Sequence, residues 1–125
     1  MQADKDSGFL FWEDVFDPLP HGADIAEIAV RALGLECDEI YVMPAIEQLI
    51  IRFYRKQKWV KSFSMHRSRL PELIRHLELS ANMHRSLRDR AQEGTLQIKH
   101  QDNDISLFVR VVRTSVGERI HLRLL

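Results

Sequence analysis

The sequence predicts an α+β sandwich: a mainly antiparallel sheet with helices packed on it. Three observations carry this. Two stretches space their apolar residues at helical intervals, six shorter stretches alternate apolar and polar residues, and turn-forming residues separate these stretches. Counting a short aromatic segment at the start, the order along the chain is ααβββαβββ.

The first 22 residues form an acidic and aromatic leader. Phe9, Phe11, Trp12 and Phe16 stand among Asp4, Asp6, Glu13, Asp14 and Asp17, ahead of the breaker Asp17-Pro18-Leu19-Pro20-His21-Gly22. Two readings stay open, a short helix folded back on the domain and a segment that docks a partner. A domain from residue 23 to 125 follows. Asp24 and Glu27 suit the start of a helix, Ile25, Ile28, Ala29, Ala32 and Leu33 supply its stripe, and Gly34 fits its stop. Strands follow at 39–42, 49–54 and 59–63, with a turn near Lys56-Gln57-Lys58 before the third.

Ser68 can cap a second helix with Pro71 in its first turn and Leu70, Leu73, Ile74, Leu77 and Ala81 on one side, ending near Met83. The polar stretch from His84 to Gly94 has no steady period and is expected to be an irregular connection. Strands at 95–99, 105–112 and 119–124 close the chain, with Gln101-Asp102-Asn103-Asp104 turning between the first two.

Composition fits one globular domain: 125 residues, 45% hydrophobic and 29% charged. Lys plus Arg and Asp plus Glu both count 18, so bulk charge predicts neither a nucleic-acid nor a membrane partner. Locally, Arg52, Arg55, Lys56, Lys58, Lys61, Arg67 and Arg69 lie in a stretch without an acid, readable as a solvated edge or as an anion-facing patch. Cys37 is the only cysteine and no span or signal peptide is evident, which predicts a cytoplasmic chain.

Four collinear pieces of the chain resemble a known family. They are Cys37-Asp38-Glu39-Ile40-Tyr41-Val42-Met43-Pro44; Ile50-Ile51-Arg52-Phe53-Tyr54-Arg55-Lys56-Gln57; the run from Ser80 through Asn82 and Arg88 to Gln92-Glu93-Gly94; and Arg110-Val111 with Gly117-Glu118-Arg119-Ile120-His121-Leu122-Arg123-Leu124-Leu125. Together they are similar to the second N-terminal domain of the type II secretion, type IV pilus and competence traffic ATPases. That domain typically reads Ala-Ser-Asp-Ile-His-Ile-Glu-Pro, Arg-Ile-Arg-Tyr-Arg-Ile-Asp-Gly, a helix ending in Leu-Pro-Gln-Asp-Gly, and Gly-Glu-Arg-Val-Val-Leu-Arg-Leu-Leu. The last match is the most specific. Departures fall at Tyr41 and Met43, where the family has His and Glu, at Tyr54 for the second strand arginine, at Lys56-Gln57 for Asp-Gly, and at Ala91 for Pro. The leader has no counterpart in the family.

The resemblance implies a PAS-like two-layer sandwich, placed before the motor of a hexameric ATPase and packed against the motor domain of the neighbouring subunit. ATP and Mg belong to the motor, not to this chain. The resemblance further implies an inner-membrane platform protein as a partner, peripheral attachment to that membrane through partners, and no direct contact with nucleic acid. Its arginines approach the neighbour's nucleotide phosphates, for which a planar fork of donors is suited. Arg52 matches a family strand arginine, and Arg67 or Arg69 lies where the family has one before its helix.

The chain contains no Gly-x-x-x-x-Gly-Lys-Ser/Thr, so no hydrolysis is expected from it alone. His76, His84, His100, His121 and Cys37 lack metal-ligand spacing, and no Gly-x-Ser-x-Gly elbow marks a nucleophile. Two further classes stay open: a stand-alone, divergent adaptor of such a machine without nucleotide chemistry, and a sensor or nucleic-acid module.

Overall fold

Alternation in the sequence becomes sheet wherever one face can be buried. A computed structural model describes residues 16–20, 22–85 and 91–125 and, of 84 and 85, only the backbone. Apart from Phe16, the aromatic segment read as a short folded-back helix or a partner-docking stretch lies outside the described residues. The elements are β1 (Asp17–Pro18), α1 (Ile25–Gly34), β2 (Glu39–Pro44), β3 (Gln48–Arg55), β4 (Lys58–His66), a 3₁₀ turn (Arg67–Arg69), α2 (Leu70–Ser80), β5 (His84–Arg85), β6 (Ala91–His100), β7 (Asn103–Thr114) and β8 (Gly117–Leu124). The α+β class and the mainly antiparallel sheet are as the sequence predicts.

All the strands join one sheet of order β1-β4-β3-β2-β8-β7-β6-β5. Among the described residues only β1 pairs parallel, setting Asp17 beside Phe63 and Pro18 beside Ser64. The two three-strand groups meet at β2 and β8, where Tyr41 faces His121 and Val42 faces Ile120.

One sheet face packs under the helices. Ile40, Val42, Leu49, Ile51, Phe53, Leu107, Val109, Ile120 and Leu122 are 0% exposed and share one apolar cluster with Ile25, Ile28 and Ala32 of α1 and Leu73 and Leu77 of α2. The alternate residues lie on a second face. Ile50 and Arg52 are buried there, yet they stand outside that cluster.

Boundaries differ from the sequence reading for local reasons. Asp24 caps α1 by accepting from the Glu27 amide, but the positive φ that ends the helix falls on Glu36 (58°) rather than on Gly34. Ser68 is not the cap of α2. It belongs to the 3₁₀ turn, where the His66 ring accepts from the Ser68 amide. The helix ends at Ser80, three residues before Met83.

The connection expected from His84 to Gly94 is partly sheet. Ala91–Gly94 pair with Val109–Val112, and His84–Arg85 pair with Gln92–Glu93. Gly94 has to be glycine, because a Cβ there would lie 2.5 Å from the Ala81 carbonyl oxygen at the end of α2. The hairpin turn narrows to Gln101-Asp102.

Candidate functional site

The pleat decides where the candidate arginines go. Arg52 alternates with the core residues Ile51 and Phe53, so it projects from the middle of β3 onto the helix-free face. Its cross-strand neighbours are Tyr41 on β2 and Ser62 on β4. Arg52 is 7% exposed and makes no hydrogen bond or ion pair among the described residues. Its guanidinium nitrogens are not among the fully buried unpaired atoms, so the group keeps an edge open to solvent, where an anion could meet it.

Arg67 and Arg69 sit elsewhere. Gln48 pairs with His66, so the turn after β4 lies four residues along β3 from Arg52, about 13 Å away at strand rise. Arg67 donates to the carbonyls of Ala45 and Val116, tying the β2–β3 turn to the β7–β8 turn. Gly117, at φ 127°, lets that guanidinium approach. Arg69 donates to Glu72 Oε2 at 2.9 Å and to the Ala23 carbonyl at 2.7 Å, which fixes the entry to α1 against the start of α2. Its buried Nε finds no partner among the described residues, and it borders a cleft of about 470 Å³ with Pro18, Glu47 and His66. The three arginines therefore do not converge: one is unpaired in mid-sheet and two bind backbone carbonyls at its end.

Arg55 confirms the alternation. It lies on the helix side and donates to the Leu35 carbonyl at 2.6 Å and the Glu36 carbonyl at 3.1 Å, a cationic cap on the C-terminus of α1.

An aromatic group surrounds Arg52. Tyr41 stacks on His121 with ring centres 4.5 Å apart and planes 4° apart, and meets the edge of Tyr54 at 5.5 Å. His121 Nε2 lies 2.9 Å from Glu39 Oε2. Trp59 donates its indole N–H to Ser62 Oγ at 2.8 Å. Burial, then the Glu39 carboxylate and then Tyr54, pushes the Tyr41 phenol above its ordinary range, so the ring stays neutral and can donate.

Sequence reasoning named Arg52 and missed this group around it. Alternation places Tyr41 and His121 on the polar sides of their strands, but only the β2–β8 register makes them neighbours.

No cluster of His, Cys, Asp or Glu suited to a metal occurs among the described residues. No helix among them is long and apolar enough to cross a membrane. Comparison with protein-family profiles and with curated proteins finds no match to this chain.

Proposed function

We propose that this chain is a PAS-like domain equivalent to the second N-terminal domain of a hexameric secretion, pilus or DNA-uptake ATPase, packing against a neighbouring subunit's motor and supporting its nucleotide site. Three of the four resembling segments support the reading by where they fold. They become β2, β3 with its turn, and β8, which are adjacent in the sheet. The observation that carries most weight is Arg52, the retained strand arginine, buried on the helix-free face without a counter-charge among the described residues.

Arg52 can offer one phosphate a fork of N–H donors. Arg67 and Arg69 have donors committed to backbone carbonyls, so their contribution is to hold the turns. The ATP and its Mg are bound by the motor, and this chain supplies a charge from outside that site. The neutral Tyr54, in place of a second strand arginine, limits the phosphate contact to one guanidinium in mid-sheet.

The gene supplies the first test. Reading on from the Leu125 codon is expected to reach Gly-x-x-x-x-Gly-Lys-Ser/Thr, whereas a stop codon leaves the stand-alone adaptor. In the protein carrying that motor, Arg52→Ala is expected to lower ATP hydrolysis at least tenfold with the chain still folded, as loss of a charge-assisted phosphate contact does. Unchanged hydrolysis rejects the role given to Arg52.

A further inference from the structure

The helix-free face carries more cations than its acids balance. Three acids stand on its strands among the described residues, and each has a basic neighbour. Glu39 Oε2 lies 2.9 Å from His121 Nε2, Glu93 Oε2 lies 3.3 Å from Arg110 Nε, and Asp104 is the cross-strand partner of Lys99. Arg119 and Arg123, both exposed on β8, are left without a hydrogen bond or ion pair among the described residues. Alternation with Ile120 and Leu122, both 0% exposed, fixes the two arginines on this face. Arg123 is the register partner of Glu39, yet its guanidinium sits over the Phe108 ring on the β7 side, 5.3 Å from the ring centre.

Strand β8 runs between β2 and β7, so this pair lies in the interior of the face and not at its rim. Four residues of strand separate the two, about 13 Å. Tyr41 stands beside them, across from His121 and stacked on its ring. Burial, Glu39 and Tyr54 push the Tyr41 phenol up while Arg119 pulls it down, so the phenol keeps its proton within the field of the Arg119 guanidinium. An oxygen anion held by Arg119 therefore has a neutral hydroxyl donor at hand.

The rings decide which anion fits. Bases of single-stranded nucleic acid stack on open aromatic faces, but Tyr41 and His121 spend a face on each other and Arg123 covers a face of Phe108. Arginine interleaved with tyrosine is instead the composition of protein interfaces, and the guanidinium fork matches a carboxylate. Acids four residues apart on an extended chain reproduce the spacing of about 13 Å.

We propose that the β2–β8 part of the helix-free face docks an acidic segment of a partner protein, one carboxylate meeting Arg119 with the Tyr41 hydroxyl and another meeting Arg123. The inference goes beyond the function proposed above, which uses Arg52 and neither of these arginines.

The test titrates the isotope-labelled full chain with a sixteen-residue peptide of alternating Glu and Ala at low salt and follows the backbone amides. Shifts are expected at Tyr41, Arg119, His121 and Arg123, while Ile28 and Ala32 on α1 keep their positions. Arg119→Gln with Arg123→Gln is expected to weaken binding at least tenfold, as loss of two charge-assisted contacts does. Arg113→Gln, at an exposed base on the opposite pleat of β7, is expected to weaken it less than twofold. The same peptide with Gln in place of Glu should move no amide, a comparison that stays decisive if the double variant does not fold. Absence of shifts on β8, equal weakening by Arg113→Gln, or equal shifts from the Gln peptide overturns the proposal. A sixteen-nucleotide oligothymidylate that moves the same amides at a lower concentration than the acidic peptide assigns the face to nucleic acid and overturns it too. None of these outcomes needs a motor or Arg52, so this inference and the functional reading can fail separately.

Discussion

Burial acts on two acids in the described part of the chain, and both respond in the same direction. The Cys37 thiol is pushed up first by desolvation, with Arg55 opposing and Asp38 adding, and the Tyr41 phenol is pushed up by burial and then Glu39. Each is an acid whose folded-state pKa lies above its unfolded value, so the native state holds its proton more tightly. That stabilisation is complete below the ordinary thiol pKa of about 8.5 and the ordinary phenol pKa of about 10, and is lost as pH rises through the raised values. The urea midpoint is therefore expected to fall between pH 8 and pH 10.5, and Cys37→Ala should flatten the earlier part of that fall; an identical alkaline profile in the variant would remove Cys37 as its source. Arg67 gives a second expectation at this scale. Its guanidinium ties two turns through the Ala45 and Val116 carbonyls, and hydrogen bonds to charged groups contribute about 1.5–3 kcal/mol. Arg67→Met keeps the apolar stem and should lower unfolding free energy by about that amount, measured by urea titration. A loss near zero would return Arg67 to the pool of free phosphate donors.

Hairpins and helix ends are where local residues and local geometry disagree. The β3–β4 turn places Lys56 at φ 50° and Gln57 at φ 70°, the doubly left-handed turn that Asn-Gly or Asp-Gly normally occupies. Left-handed backbone costs a residue with a Cβ about 1–2 kcal/mol, against about 0.5–1 kcal/mol for the extra freedom glycine has when unfolded. Gln57→Gly should thus raise stability by about 0.5–1 kcal/mol without changing the spectrum of the core; a lower urea midpoint would show that the Gln57 side chain holds the turn. Gly94 is the opposite case, since Gly94→Ala drives a Cβ into the Ala81 carbonyl at 2.5 Å and should lower stability by about 1–3 kcal/mol. These positions also mark the limit of sequence legibility. The α1 stripe, the six long strands and the α2 stripe were readable because one buried face imposes a period on each. The Ala91–Gly94 part of β6 was not, because Gln92 and Glu93 break the apolar alternation, and pairing with β7 rather than local propensity makes that stretch a strand. Arg52 was legible as a candidate and its isolation was not, because burial and the lack of a counter-charge depend on Ser62 and Tyr41, which come from other strands.

Strand order belongs to the whole molecule, and no local pattern announces it. Strand β2 opens the first three-strand group and β8 closes the second, yet they pair in register from Val42–Ile120 to Glu39–Arg123, and this pairing makes one sheet from two groups. The helices reinforce the union, since α1 and α2 contribute to a single buried cluster that also takes Ile40 and Ile51 from one group and Leu107 and Leu122 from the other. With one sheet and one core, neither group has a separate interior to keep when the other melts. The described domain is therefore expected to unfold in one transition. In a Trp12→Phe background, Trp59 fluorescence reports β4 and far-ultraviolet circular dichroism at 222 nm reports chiefly the helices, and their urea curves should superimpose. Ile28→Ala in α1 and Leu77→Ala in α2, both at 0% exposure, should each move the two curves together by about 2–5 kcal/mol. Helix signal lost ahead of Trp59 would separate the helical layer from the sheet. Helices and sheet moving together, while Arg52 variants leave the midpoint unchanged or raise it, would locate stability on the helix side of the sheet.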